Sequence, residues 1–575
     1  MPRDSTISSG IAVSIGQHAD TGRKPRNDDF HGALEPDGDA RVLKGITLAI
    51  SDGISTSSNS REAAETAVKS LLTDYYATPD TWTVRTSATR VIAATNAWLH
   101  GQNGSLSDLN AGHVCTLSAL ILKGRDGHIL HVGDSRVSRV SGDGLEPLTK
   151  DHRVVLSAEE SYLGRALGIA ADVDVDYHRV PLAVGDVFLL TTDGVHDFLA
   201  PGDMARLATA ATDLDAAAKS IVARALAEGS DDNLSVLIVR VDALPADGAG
   251  LPIDGAVLPV PPLPNAGDVI DGFRIIRPLH VTARSHVFLA VDPDHNRVAL
   301  KVPARETAEN SAYLRRFVLE DWIARRVSSP HVLRAANGPS QRTALFVATE
   351  FVEGKTLRQW MHDKPRASID KVRPIIGQIA SGLRALHRRQ MLHQDLRPEN
   401  VMIDGDGTVK IIDLGSVSVA GVQEAAPGLL DEMAGTFQYT APEYLSGDVV
   451  SWRSDQYALG VIAYEILTGR LPYGAEVARV TSRRDQNRLA YTPARDDDTS
   501  VPRWIDTALR RATHPDPLRR YDALSEFVAD LSRPGAAWAK ERHVPLAERN
   551  PVRFWQTISA ILAVICILLA AQLGG

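Results

Sequence analysis

His393-Gln-Asp-Leu-Arg-Pro-Glu-Asn400, followed by Asp413-Leu-Gly415, decides how the carboxy-terminal half of the chain is read. It sets a carboxylate, Asp395, ahead of an amide, Asn400, and a second carboxylate, Asp413, in front of a glycine. In phosphoryl transfer one aspartate accepts the proton of the attacking hydroxyl, while an asparagine and another aspartate hold Mg²⁺. Upstream, Val298-Ala-Leu-Lys301 has the pattern of a strand whose lysine contacts the α- and β-phosphates of a nucleotide. That lysine needs a helix carboxylate to position it, and Glu320 in Phe317-Val-Leu-Glu-Asp-Trp is the best candidate.

Working outward, the region Asp268–Leu531 starts with strand patterns and ends with long helices. With Ala441-Pro-Glu443 added, its motifs resemble those of eukaryotic-type protein kinases over about Phe273–Leu531. The resemblance implies a bilobal fold that binds ATP with Mg²⁺. Asp395 would be the catalytic base, Lys301 and Glu320 the nucleotide-positioning pair, and Asn400 and Asp413 the metal ligands. Gly435-Thr-Phe-Gln-Tyr-Thr-Ala-Pro-Glu443 is similar to the Ser/Thr form of the activation segment, which favours Ser and Thr hydroxyls as acceptors. Glu443 and Arg519 match a structural ion pair of that family, and Asp455 matches the helix-start aspartate that supports the catalytic loop.

Two departures stand out. Aligned on Val287, the three glycine positions of the nucleotide lid hold His280, Thr282 and Ser285. Glycine lets a backbone approach phosphates closely, so side chains there weaken the grip on ATP. The other reading of this half is therefore a pseudokinase that senses nucleotide. Gln394 stands where regulated kinases carry an arginine, so charge-assisted pairing with a phosphorylated activation loop is missing.

The amino-terminal half mixes apolar runs of strand length with helical patterns at Arg61–Tyr76, Val84–His100 and Leu214–Glu228. Several runs end in aspartate: Ile50-Ser-Asp52-Gly53 and Leu190-Thr-Thr-Asp193-Gly194, with Asp231-Asp-Asn233 opening another. A lone Asp-Gly is usually a turn. An ordered set of strand-end carboxylates can instead converge on a hard cation such as Mg²⁺ or Mn²⁺. Two such ions sharing a water can direct it in line at phosphorus.

Seven segments in order resemble the metal-dependent type 2C protein phosphatases over about Ser14–Val239. They are Gly22-Arg-Lys-Pro-Arg-Asn-Asp-Asp29, Ser51-Asp-Gly53, His131-Val-Gly-Asp-Ser-Arg136, Leu148-Thr-Lys-Asp-His152, Leu163-Gly-Arg-Ala-Leu-Gly168, Thr192-Asp-Gly-Val-His-Asp197 and Ser230-Asp-Asp-Asn-Leu-Ser-Val236. The resemblance implies a β-sandwich flanked by helices. Asp29, Asp52, Asp193 and Asp232 would hold a metal pair, with the Gly53 carbonyl as a further ligand and Asp134 helping to hold a third ion. The family's substrate-gripping arginine is replaced by Lys24, with Arg23 and Arg26 beside it as the other phosphate-binding candidates. A lysine is a point charge and lacks the bidentate fork of arginine. Ile54 stands where some members have a histidine, leaving water to protonate the leaving group.

Composition fits this multidomain α+β reading. The chain has 575 residues, too many for one apolar core, with 44% hydrophobic and 23% charged residues. A net charge of -9 without a basic run gives nucleic-acid binding no support. Two cysteines, Cys115 and Cys566, suit a reducing interior. Nothing in Met1–Gly10 resembles a signal peptide. The organisation expected is a phosphatase domain over 1–242, a Pro/Gly-rich linker over 243–267, a kinase domain over 268–533, a basic segment over 534–552 and a membrane-crossing helix over 553–573. Phe554–Leu573 is uncharged, about the length needed to span a bilayer. Trp555 and the preceding Lys540, Arg542, Arg549 and Arg553 favour a membrane helix with both large domains on the cytoplasmic side. The compact two-domain arrangement with a tail anchor resembles bacterial proteins, and that resemblance implies a bacterial inner membrane. The joint expectation is two opposed enzymes acting on phosphoproteins and proteins, including this chain itself.

Overall fold

The computed structural model describes residues 10–54, 57–104, 112–155, 161–246, 258–338, 342–426, 438–495, 501–534 and 551–573. Twelve strands form the amino-terminal unit in chain order. They are β1 (Ala12–Asp20), β2 (Phe30–Leu34), β3 (Ile46–Ser51), β4 (Leu117–Lys123), β5 (Asp126–Val132), β6 (Arg136–Ser141), β7 (Gly144–Pro147), β8 (Arg153–Val155), β9 (Ser161–Leu163), β10 (Asp176–Pro181), β11 (Val187–Thr191) and β12 (Leu234–Ala243). Ten of these build two five-stranded sheets, in the orders β1-β12-β11-β6-β7 and β10-β5-β4-β3-β2.

The alternation of side chains explains the layering. In β3, Ile46, Leu48 and Ile50 face the opposite sheet, where Phe188, Leu190, Leu237 and Val239 meet them. Ala49, between them, faces the helices Ser60–Ala77 and Val84–Asn103. The other sheet is covered on its outer face by Pro201–Ala210 and Leu214–Ala227. Strands buried on both faces read as continuous apolar runs, which is how Leu117–Lys123 is written. Each fully buried Ile or Leu contributes about 1.5–3 kcal/mol, so the sandwich core fixes where the strand ends lie.

The second unit opens with β13 (Val269–Ile270), β14 (Phe273–Val281), β15 (Ser285–Val291), β16 (Arg297–Pro303) and β17 (Val347–Glu350), paired in that order as one sheet. The helix Ser311–Arg326 packs beside it. A helical lobe follows, centred on Ile369–His387 and Trp452–Thr468. The latter is buried nearly all round from Ser454 to Thr468, as a helix in the middle of a lobe must be. Ser451 caps it with a capping box and Gly469 ends it at φ 71°.

Two expectations change here. Part of the stretch read as a patternless linker is packed: Leu258 and Val260 lie against Leu314, Phe317 and Val347, and Pro259 O accepts from Leu345 N at 2.9 Å. Prolines remove donors without preventing burial of their rings, so Pro261 and Pro264 are buried as well. The expected transmembrane helix at 553–573 is not found. A helix does run over Pro551–Leu573, but among the described residues no helix is long and apolar enough to cross a membrane. Of its apolar run only the side chains up to Ile565 are described; those from Cys566 onward, together with the basic segment 535–550, lie outside the described residues.

Candidate active sites

In the sandwich unit, the ends of β3, β11 and β12 bring their aspartates to one edge. Asp29 is buried, and Thr192 Oγ1 donates to its Oδ2 at 2.9 Å, while its Oδ1 has no hydrogen-bond partner among the described residues. A buried carboxylate oxygen without a donor is costly unless a cation takes it. Asp52 is anchored through its backbone to Thr116, and its carboxyl is held well above the usual range by burial and then by Asp29, Asp193, Asp134 and Asp232. Burial and Asp134 push Asp193 up to about 7, and burial pushes Asp29 up to about 6. Carboxylates that raise one another's pKa share a small volume, and here the lowering influence of Arg153 on Asp193 does not offset burial and their mutual repulsion. Gly53 sits on a bridge to Cys115 at the same edge.

Two cations already reach into the cluster. Arg153 places Nε 2.7 Å from Asp134 Oδ2 and Nη2 2.8 Å from Asp193 Oδ2. Lys24 Nζ lies 3.1 Å from Asp232 Oδ2. Asp134, Asp193 and Asp232 therefore turn oxygens to these partners, and among the described residues no three acidic, histidine or cysteine side chains close around a single point. The donor set itself, hard carboxylates with an orphaned oxygen, fits a divalent cation. Asp29, Asp52, Asp193 and Asp232, with the Gly53 carbonyl, are the residues that would hold it.

The phosphate-binding candidates divide. Lys24 faces the cluster, Arg23 is exposed, and Arg26 is committed elsewhere. Its Nε lies 2.8 Å from Asp28 Oδ1, and its guanidinium also donates to Ser57 O, Ser58 O and Ser60 Oγ. Arg153, which follows the quoted Leu148–His152 motif, was not singled out from sequence. Its role depends on a contact with residues distant in the chain.

In the second unit Lys301 Nζ is 2.7 Å from Glu320 Oε2 and 3.8 Å from Asp413 Oδ1. Burial alone would lower the ammonium's pKa, but Glu320 and Asp413 hold it above its ordinary value. Asn400 Nδ2 donates to Asp395 Oδ2 at 3.2 Å and to its backbone oxygen at 2.9 Å. Asp413 Oδ1 accepts from Gly415 N at 3.0 Å. Beneath them Asp455 accepts from His393 N and Gln394 N, at 2.9 and 3.0 Å, and fixes the loop that carries Asp395. Val287 pairs across the sheet with Lys301.

At the lid, Thr282 Oγ1 accepts from Arg284 N and Ser285 N, closing the β14–β15 turn through a side chain. Ser285 is buried and His280 exposed. One ion pair is corrected. The partner of Glu443 is Arg520, at 2.7 Å with both side chains fully buried, whereas Arg519 is exposed and lies 3.7 Å from Asp516. Arg519 ends the short 3-10 turn Pro517–Arg519 and points out; the extended backbone at Arg520 turns its side chain inward. Thr436 lies outside the described residues.

The protein phosphatase 2C family model matches residues 15–233, and the protein kinase domain model matches residues 282–530. The chain carries a phosphatase 2C domain and a protein kinase domain. It is 28% identical over 261 residues to the serine/threonine-protein kinase PrkC of Bacillus subtilis, covering 45% of this chain and 40% of that protein. It is 32% identical over 255 residues to PknA of Corynebacterium glutamicum, covering 43% and 53%. The chain thus spans about half, or less, of the length of these curated relatives. Among solved structures, the serine/threonine phosphatase of S. agalactiae is 25% identical at a TM-score of 0.37, covering 40% of this chain and 100% of that one. The phosphatase MsPP of Mycobacterium smegmatis is 23% identical at a TM-score of 0.34, covering 40% and 98%.

Proposed function

We propose that the chain is a bifunctional enzyme, a Mg²⁺- or Mn²⁺-dependent phosphatase of phosphoserine and phosphothreonine joined to an ATP-dependent Ser/Thr kinase. The observation that carries the kinase half is the Lys301–Glu320 contact at 2.7 Å with Asp413 beside it. Lys301 would hold the nucleotide phosphates, and Asp395, steadied by Asn400, would accept the proton of a Ser or Thr hydroxyl. In the phosphatase half, bound divalent cations would supply an acidified water and neutralise phosphate charge. Lys24 and Arg153 stand where they can orient a phosphate against the aspartates.

The pseudokinase reading keeps one observation in its favour: the lid turn is closed by Thr282, with no glycine to bring the backbone onto the phosphates. Transfer of labelled phosphate from ATP decides between the readings. The full chain carrying Asp193→Ala should incorporate label, and a further Asp395→Ala should abolish it. No incorporation, with Mn²⁺-dependent phosphopeptide hydrolysis intact in the unmutated chain, would leave a phosphatase bearing a nucleotide-sensing domain.

Tethering places each domain's products near the other at about millimolar effective concentration, so the chain itself is included among the substrates. Attachment to a membrane with both domains cytoplasmic is part of the proposal. It rests on the uncharged stretch Phe554–Leu573 and on the exposure of Trp555, Ile561, Leu562 and Val564. Recovery of the chain in a carbonate-washed soluble fraction would remove that part.

A further inference from the structure

The two domains meet through a polar latch built from the base of the kinase activation segment. The helix Ala420–Ala425 follows Asp413-Leu-Gly415 and the two-residue strand Ser418–Val419, which pairs with Met391–Leu392 just ahead of the catalytic loop. Glu424 on that helix receives Lys123 Nζ of the phosphatase domain at 3.0 Å. The same ammonium donates to Gly421 O at 2.9 Å, and Val84 N donates to Glu424 Oε2 at 2.8 Å. The Lys123 side chain is 0% exposed and the Glu424 side chain 9%. A fully buried lysine at the end of β4 needs a counter-charge, and the kinase carboxylate Glu424 supplies it by direct contact, with Asp80 a lesser attraction.

The rest of the surface is equally specific. Gly421 N donates to Thr81 O at 2.9 Å, Trp82 Nε1 to Arg388 O at 3.0 Å, and Thr83 N to Gln390 Oε1 at 2.8 Å. Gln390 Nε2 returns a bond to Thr86 Oγ1 at 2.7 Å. A Cβ at Gly421 would come within 2.7 Å of both Asp80 O and Trp82 O, so the two backbones touch where only glycine fits. Leu43 of the phosphatase domain is buried as part of the kinase's large apolar core. Asp80 pairs with Arg326 at 3.3 Å, at the end of the helix that carries Glu320.

These contacts grip three kinase elements at once: the segment after Asp413, the loop before His393, and the helix of Glu320. We propose that the phosphatase domain is the activating partner of the kinase domain, holding those elements in the arrangement that forms the Lys301–Glu320 pair. Elements with two discrete arrangements are what a docked partner can bias. Gln394 brings no positive charge to a phosphorylated loop, and the buried Lys123–Glu424 pair anchors the same segment from the other side. The direction follows from the docked state itself, in which Lys301 and Glu320 are in contact and Asn400 holds Asp395.

This inference rests on the kinase reading above, and the test separates the two. In the full chain, Lys123→Met lies in the phosphatase domain, away from its aspartate cluster, and Gly421→Val wedges the interface from the kinase side. Kinase transfer is read in an Asp193→Ala background, phosphopeptide hydrolysis without it, and amide exchange in every variant. Each interface variant should lower transfer by about tenfold or more. Hydrolysis should persist, and exchange should rise at 80–84, 311–326 and 418–426. Retained hydrolysis certifies that Lys123→Met is folded; if it is not, Gly421→Val carries the test. Unchanged exchange, unchanged transfer or increased transfer would each overturn the proposal, the last by making the latch a restraint. If the Asp193→Ala chain with its interface intact transfers no phosphate, the kinase reading fails, and exchange at 311–326 alone then decides whether the phosphatase domain orders the Glu320 helix.

Discussion

Arg153 Nη2 stands 2.8 Å from Asp193 Oδ2, so a guanidinium occupies part of the aspartate cluster that divalent cations would share. Its Nε holds Asp134 at 2.7 Å in the same reach. A fixed positive charge a few ångströms from a cation site opposes cation binding by Coulomb repulsion. Arg153→Ala should therefore bind Mn²⁺ more tightly, by about tenfold, and take up an additional ion at Asp134. Calorimetric titration of the metal gives both stoichiometry and affinity. An unchanged isotherm would mean that the guanidinium swings clear before the ions arrive.

The raised carboxylates make a second prediction about the same site. With Asp193 at about 7, Asp29 at about 6 and Asp52 held well above the usual range, the cation-free cluster retains protons near neutrality. Cation binding must expel them, so affinity should fall as pH drops from about 7 toward 5. At pH 6.5 the binding enthalpy should vary with the ionisation enthalpy of the buffer, in the sense of proton release. Identical enthalpies in PIPES and ACES, which both buffer near pH 6.5 with different ionisation enthalpies, would refute this charge state.

Burial pushes the Asp395 carboxyl up to about 6, against the lowering influence of Arg397. A base works only when ionised, so kinase transfer should be full above that value and decline below it. The acid limb of kcat/KM for peptide phosphorylation should bend near pH 6. A bend near pH 4 would mean that substrate binding restores an ordinary carboxylate.

Arg520 and Glu443 are both fully buried at 2.7 Å, and Arg520 also donates to His514 O and Pro515 O. Removing one member leaves an uncompensated buried charge, which costs about 3–5 kcal/mol. Arg520→Met should lower the unfolding midpoint of the kinase domain accordingly, whereas Arg519→Ala should stay within about 0.5 kcal/mol. Equal losses in urea unfolding would contradict the assignment.

That pair marks the boundary of what the sequence could tell. Motif order singled out Asp395, Asn400, Asp413 and the strand-end aspartates, residues that the fold brings into two clusters, because their spacing follows from strands and turns that local patterning dictates. Choosing between Arg519 and Arg520 needed the backbone direction at the end of a 3-10 turn, which neighbouring residues do not encode. Arg153 and the Lys123–Glu424 latch were illegible for a stronger reason. Each joins residues far apart in the chain, and a lysine at a strand end reads as an exposed charge until its partner is seen. Arg26 was misjudged in the same way, since its commitment to Asp28 and to the loop before Ser60 is tertiary.

The lid offers the last prediction. Thr282 closes the β14–β15 turn by accepting two backbone N–H groups, and Tyr313 Oη from the Glu320 helix donates to Arg284 O at 2.8 Å. The turn is thus preorganised by side chains, at the cost of keeping its backbone away from the nucleotide. Thr282→Gly with Ser285→Gly should restore close approach to the phosphates and lower the KM for ATP by about fivefold or more, with kcat little changed. A glycine pair also frees the loop and loses ordering energy, which works in the opposite direction at about 1 kcal/mol per residue. Two phosphate contacts to backbone N–H groups, charge-assisted at about 1.5–3 kcal/mol each, outweigh that loss. A raised KM in the double variant would establish that the Thr282 turn, rather than glycine, is how this kinase domain holds its lid.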